Sequence, residues 1–220
     1  MRGPRARIVF DLDGTLVDSA PSLCAAGNAM IAEMGRAPVE VDTYKRFVGR
    51  GMRKQIEGLL AHTGGVPEDF EGRFARFREI YDADPLVATR PYPGVGEALA
   101  ALAGQGHVLG VCTQKAQAPA RAILTGLSLM PPIAALTGGD SVATLKPDPA
   151  MLAHTLSQMP GDGPVLFVGD SETDAETARR ADVPFLLHLN GYRHGEVAAR
   201  AAFAAWSDLP HLIEEALASI

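Results

Sequence analysis

Two aspartates one residue apart, Asp11 and Asp13, stand directly behind the apolar run Ile8-Val9-Phe10 and ahead of Gly14. Carboxylates this close, at about 4 Å and an effective dielectric near 20, repel by about 4 kcal/mol, so a cation or a shared proton is expected between them. Either arrangement suits catalysis, because an ionised carboxylate can attack or bind metal while a protonated one can donate. Gly14 allows the sharp turn and close backbone approach that such a site needs. A lone Asp-x-Asp turn is more often ordinary surface, so the remaining residues must decide.

Further polar groups follow other apolar runs. Val108-Leu-Gly-Val-Cys112 delivers Thr113, Gln114 and Lys115, and Val165-Leu-Phe-Val168 delivers Gly-Asp-Ser-Glu-Thr-Asp174. Lys146-Pro147 supplies a cation between them. Asp170 and Asp174, at i and i+4, share one face if a helix starts there. Gln114, next to the hydroxyl of Thr113, and Lys115 are candidates for substrate contact, and Lys115 is read first as a solvated loop residue.

These residues are positioned by runs too short to be helices: 6–10, 108–112, 165–168 and 184–187, with a weaker one over 133–137. Helical spacing lies between them, as at Val95, Ala98, Leu99 and Leu102. Alternating strands and helices predict an α/β fold, a parallel sheet covered by helices on both faces. Ligands of such sheets bind at the carboxyl ends of the strands, which points to 11–15, 113–115 and 169–174.

The stretch 18–89 breaks the alternation, with several amphipathic helices and no convincing strand. Ser19 is read as the cap of a helix running to about Met34 and stopped by Gly35, and Phe70, Phe74, Phe77 and Tyr81 form one apolar stripe for packing. Pro91-Tyr-Pro-Gly94 marks the return to the sheet. The expected organisation is a core from 1–17 and 90–220 with an inserted helical unit at 18–89.

Composition narrows the field. The 220 residues are 47% hydrophobic and 21% charged, which excludes disordered and low-complexity classes. A net charge of -6 gives no field for nucleic acid or an anionic membrane, so neither is expected as a partner. Cys24 and Cys112 have no metal-ligand spacing and make no disulfide framework. With no apolar run long enough for a signal peptide or a membrane span, a cytoplasmic protein is expected. The six histidines show no metal spacing, and Gly94-Val-Gly96 reads as a helix entry.

In order, Asp11-Leu-Asp-Gly-Thr-Leu-Val-Asp-Ser19, Val111-Cys-Thr113, Lys146-Pro147 and Val168-Gly-Asp-Ser-Glu-Thr-Asp174 resemble the four motifs of the haloacid dehalogenase-like superfamily. The resemblance implies a Rossmann-like core with an inserted small α-helical cap. It implies a phosphatase in which Asp11 is the nucleophile, forming an aspartyl-phosphate, and Asp13 the acid and base. Mg2+ is the implied cofactor, held by the Asp11 side chain, the Asp13 carbonyl and Asp170, with Asp174 nearby or linked through water. Thr113 would bind phosphoryl oxygens, and Lys146 would neutralise phosphate and nucleophile. Many relatives carry Asn where this chain has Gln114.

The inserted helices resemble the superfamily's lid, and within Phe47-Val-Gly-Arg-Gly51 the guanidinium of Arg50 offers a fork for a substrate carboxylate or phosphate. With Thr113-Gln-Lys115, Gly138-Gly-Asp-Ser141 and Gly191-Tyr-Arg193, the chain looks most like the phosphoglycolate phosphatases. The partner implied is a small phosphorylated metabolite, 2-phosphoglycolate first, acted on by a monomer or homodimer. Hydrolysis of another small phosphate ester and a beta-phosphoglucomutase-like phosphotransfer stay open, as does a receiver-like phospho-switch. Asp13 argues against a dehalogenase, which works without that carboxylate.

Overall fold

A computed structural model of the chain describes residues 6–219, so residues 1–5 and 220 of the expected core lie outside the described residues. The apolar runs form the strands β1 (Arg7–Phe10), β4 (Val108–Cys112), β5 (Ile133–Thr137), β6 (Val165–Gly169) and β7 (Phe185–His188). With β8 (Ala201–Phe203) they make a six-stranded sheet in the order β5-β4-β1-β6-β7-β8. Every neighbouring pair in it is parallel. β8 escapes sequence reading because it has three residues, two of them alanine.

Because side chains alternate along a strand, β1 feeds two cores. Ile8 and Phe10 join one cluster with Leu99, Ile123 and Ile213, from helices α5 (Val95–Gly104), α6 (Gln117–Gly126) and α9 (Leu209–Leu217). Val9 joins the other with Met151, Leu152 and Ala178, from α7 (Ala150–Gln158) and α8 (Glu172–Arg180). Helices on both faces explain why β1 carries no exposed position past Arg7. The chain order reverses at β1, whose neighbours β4 and β6 are reached in opposite directions, so a crevice opens where β1 ends, at Asp11.

Two short strands, β2 (Val17–Asp18) and β3 (Arg90–Pro91), pair antiparallel, Asp18 opposite Arg90. Between them run α1 (Ala20–Ala32), α2 (Val41–Lys45), α3 (Met52–His62) and α4 (Phe70–Ala83). These helices share a cluster of their own, built on Leu23, Met30, Tyr44, Ile56, Leu59 and Phe77. The aromatic stripe of α4 packs as two stacked pairs, Phe70 on Phe74 and Phe77 on Tyr81. Tyr192, from the core loop after β7, is buried in this same cluster.

Ser19 corrects one expectation. It precedes α1, but its side chain makes no cap hydrogen bond. Its hydroxyl goes to Asp13 instead.

Candidate active site

Asp11 sits one residue past β1, in the middle of the sheet. Its Oδ1 accepts from Lys146 Nζ at 2.7 Å, and among the described residues Oδ2 accepts no hydrogen bond from protein. Burial pushes the Asp11 carboxyl up, to about 7; Lys146 beside it works in the opposite direction, and Asp174 adds to the rise. Lys146 spends its remaining donors on Asp174 Oδ1 at 2.6 Å and the Cys112 carbonyl at 3.2 Å. Burial works against its charge, but Asp11 and Asp174 hold the ammonium well above the ordinary lysine value.

Asp13, two residues on, has both oxygens engaged: Oδ1 accepts from Ser19 Oγ at 2.5 Å and Oδ2 faces Lys115 Nζ at 3.1 Å. Of the two readings of Lys115, the solvated loop residue is corrected by its burial against Asp13. Its side chain is 2% exposed, and Asp13 and then Tyr81 overcome burial to hold its ammonium above the ordinary value.

Asp170 ends the β6 turn in a cradle made by two glycines. Gly14 has φ +88°, and a Cβ there or at Gly191 would collide with Asp170. Its oxygens accept from Thr15 Oγ1 at 2.9 Å and from the Tyr192 backbone N–H at 2.6 Å. Burial, then Asp174 and Asp11, push its carboxyl well above the ordinary range. Asp174 closes a capping box at the start of α8: Oδ2 accepts from Ser171 Oγ at 2.6 Å, and the Asp174 N–H donates back to Ser171 Oγ. The i, i+4 spacing thus puts Asp174 beside Asp170 while committing both its oxygens to Ser171 and Lys146.

Thr113 is buried at the end of β4, where its Oγ1 accepts the Lys115 N–H at 3.2 Å and keeps its own hydrogen for another acceptor. Gln114 extends to the helical unit: its Nε2 donates to the Gly49 carbonyl at 3.2 Å, which also accepts from Thr173 Oγ1 at 3.2 Å. One small cavity joins these groups, lined by Asp11, Asp13, Thr113, Gln114, Lys115 and Lys146, with Leu23, Val48 and Met52 covering it from the helices. Arg50 is not brought into this group. Its side chain is exposed and faces a neighbouring cleft beside Glu172 and His194, although Gly49 and Gly51 on either side line the cavity.

Sequence reasoning missed the roles of Thr15 and Tyr192, and gave Ser19 to a helix cap rather than to Asp13. Ser19 and Thr15 lay inside the first motif but carried no separate signal. Tyr192 could be found only as part of Gly191-Tyr-Arg193, whose spatial meaning is invisible in the chain. Its hydroxyl accepts from the Ser19 and Ala20 N–H groups at 2.8 and 3.0 Å and donates to Asp18 Oδ1 at 2.6 Å, so it ties the start of α1 to the loop that seats Asp170.

The donor set suits a divalent cation. One ligand atom each from Asp11, Asp170 and Asp174 lie within 4.8 Å of one another, all three residues buried. With Asp13 they make four carboxyl groups against the two ammoniums of Lys115 and Lys146, an excess of two negative charges if all four ionise, which is what raises Asp11 and Asp170 when no further cation is supplied. Hard oxygen donors with that excess are what Mg2+ takes. Among the described residues no helix is long and apolar enough to cross a membrane.

The comparisons with known proteins agree with this geometry. Residues 8–188 match the family model described as haloacid dehalogenase-like hydrolase. The chain is 42% identical over 216 residues to a phosphoglycolate phosphatase of Rhodospirillum rubrum, covering 95% of this chain and 89% of that protein. It is 40% identical over 219 residues to a phosphoglycolate phosphatase of Cereibacter sphaeroides, covering 96% and 99%. A Haemophilus somnus protein, whose crystal structure is described as a predicted phosphoglycolate phosphatase, superposes with TM-score 0.85 at 26% identity, over 94% of this chain and 96% of that one. The chain therefore belongs to the haloacid dehalogenase-like hydrolases.

Proposed function

We infer that this protein is a Mg2+-dependent phosphatase of small phosphate monoesters, with 2-phosphoglycolate as substrate and glycolate and phosphate as products. The observation that carries the reaction is Asp11, fixed by Lys146 through Oδ1 with Oδ2 free at the cavity. Oδ2 attacks phosphorus, the bond from phosphorus to the ester oxygen breaks, and the phosphoryl group passes to Asp11. Asp13 gives a proton to the departing oxygen, then takes one from the water that hydrolyses the aspartyl-phosphate. The Thr113 hydroxyl donates to a phosphoryl oxygen, and Lys146 offsets its charge beside the nucleophile.

Asp11, Asp170 and the Asp13 carbonyl would hold Mg2+, with Asp174 supporting them through Lys146 and the α8 cap. When bound, Mg2+ neutralises phosphoryl oxygens against the carboxylates. The segment 18–89 serves as a cap that excludes water from the cavity. The substrate assignment is supported by relatives at 42% and 40% identity along nearly the whole chain. Room for only small groups in the cavity, about 50 Å3, fits a metabolite rather than a polymer. Free, buried thiols at Cys24 and Cys112 support a cytoplasmic location, and the site is built by one chain, so a monomer or homodimer can carry it.

Phosphate release from a panel of small esters, with Mg2+ and with EDTA, tests this reading. A kcat/KM preference for 2-phosphoglycolate that vanishes in EDTA is expected. Equal release in EDTA would sink the metal mechanism, and poor turnover of 2-phosphoglycolate beside fast turnover of another ester would sink the substrate.

A further inference from the structure

The two ammoniums at the cavity are not equivalent. Lys146 has three partners, the carboxylates of Asp11 and Asp174 and the Cys112 carbonyl. Lys115 has one carboxylate, Asp13 Oδ2, and beyond it the face of Tyr81, whose ring centroid is 4.9 Å from Nζ. An ammonium carries three N–H donors. Among the described residues no second carboxylate or carbonyl takes one from Lys115; the Tyr81 hydroxyl, otherwise unpartnered, lies beside the ammonium and can occupy one donor, which leaves one unspent. Leaving a donor of a buried charge unspent is costly, so the arrangement is completed when a ligand supplies an acceptor.

The rest of the lining says which ligand. Lys115 and Lys146 are the two cations lining the cavity among the described residues, and Lys146 stands at Asp11, the phosphorus end. From the inserted segment come Leu23, Val48, Met52 and Gln55, none of them charged, and Arg50 is exposed outside. A substrate with a second anionic group thus finds one cation with a donor to give.

We propose that Lys115 is the specificity-determining residue of this site, binding a carboxylate at the end of the substrate remote from phosphorus and selecting small phosphate esters with an anionic tail. The proposal rests on the phosphatase reading above and deepens it. The ammonium then bridges Asp13 and the substrate carboxylate, so the acid-base residue and the ester are placed by the same charge. Tyr81, from α4, covers the ammonium from the other side and keeps water away from the pair.

The test compares kcat/KM for 2-phosphoglycolate and 2-phospholactate, which have the carboxylate, with ethyl phosphate, which lacks it, at saturating Mg2+. Lys115→Met should lower turnover generally, since Asp13 loses its partner, and should in addition cut the ratio of anionic-tailed to ethyl ester by about 30-fold, the scale of a lost charged contact. Lys115→Arg should restore most of the ratio, and Lys115→Gln provides the same readout if the methionine variant does not fold. A lysine that only holds Asp13 would depress every ester by one factor, so an unchanged ratio overturns the proposal and leaves the phosphatase reading standing. Wild-type protein that hydrolyses all esters without regard to the tail overturns it too. Wild type that prefers 2-phospholactate, with the preference lost in Lys115→Met, supports the proposal while removing 2-phosphoglycolate as substrate.

Discussion

Asp170→Asn should make the metal-free protein more stable and the enzyme inactive. With ligand atoms within 4.8 Å of those of Asp11 and Asp174, an ionised Asp170 meets repulsion of about 3 kcal/mol from each at an effective dielectric near 20. Lys146 pairs with both neighbours and offsets roughly one of these, which leaves about 3 kcal/mol of uncompensated repulsion. Asparagine keeps the contacts, since its oxygen can accept the Tyr192 N–H and its amide can donate to Thr15 Oγ1. Loss of charge in two hydrogen bonds returns about 1–2 kcal/mol, so the net gain is about 1–2 kcal/mol. For a chain of 220 residues that is about 4 °C in Tm.

The sign of the pH dependence follows from the raised Asp170 carboxyl. Between the ordinary carboxylate range and its raised value, the folded state holds a proton that the unfolded chain has released, so metal-free stability falls as pH rises through that window. The variant lacks this loss, and its advantage should grow as pH rises above the ordinary carboxylate range. Thermal unfolding in EDTA and in millimolar Mg2+ across that rise is the assay. Wild type should gain Tm with Mg2+ and the variant should gain little, with turnover down at least about 1,000-fold. A variant less stable than wild type in EDTA near the alkaline end, with its Mg2+ response intact, would refute the charge argument.

Four further outcomes are expected. Lys146→Met strands the buried carboxylates of Asp11 and Asp174, costing about 3–5 kcal/mol in urea unfolding and nearly all turnover, and wild-type stability would contradict the pairing. Ser19→Ala removes the hydroxyl donated to Asp13 and should lower kcat by about tenfold, with a shifted pH–rate profile and unchanged Mg2+ affinity. Tyr192→Phe leaves the Ser19 and Ala20 N–H groups without their acceptor and should cost about 2 kcal/mol by denaturant unfolding. Because the metal-free Asp11 carboxyl lies near 7, a proton competes with Mg2+ below that value, and calorimetric titration should show apparent affinity falling about tenfold per pH unit there; a flat profile would contradict it.

What could be read from the chain divides along a physical line. Asp11, Thr113 and Asp170 follow apolar runs that end in turns, and a parallel sheet gathers its strand ends, so spacing along the sequence becomes proximity in space. The short strand β8 lacks that signal, because two alanines and a phenylalanine in three residues fit several structures equally. For Lys115 and Arg50 the sequence left two readings open, for the opposite reason. Whether a long cationic side chain is buried depends on what the rest of the fold packs over it, and that is encoded nowhere near the residue. Arg50, flanked by glycines on a loop beside the cavity, turns outward, while Lys115, on a loop that reads as polar, is closed in by Asp13 and by Tyr81 of α4.

That difference bears on how a family of shared chemistry comes to have separate substrates. The carboxylates and Lys146 answer to demands set by phosphorus, which are the same for every ester, so their spacing is legible without the fold. On the proposal above Lys115 meets the part of the substrate that varies, and its surroundings are set jointly by a core loop and by Tyr81 of α4, far from it in sequence. Changing Tyr81 or the loop Phe47–Gly51 would alter what reaches Lys115 without moving Asp11 or its partners. Specificity can therefore drift in the inserted helices while the reaction stays fixed in the sheet, and a substrate assignment needs the residues that meet across the two.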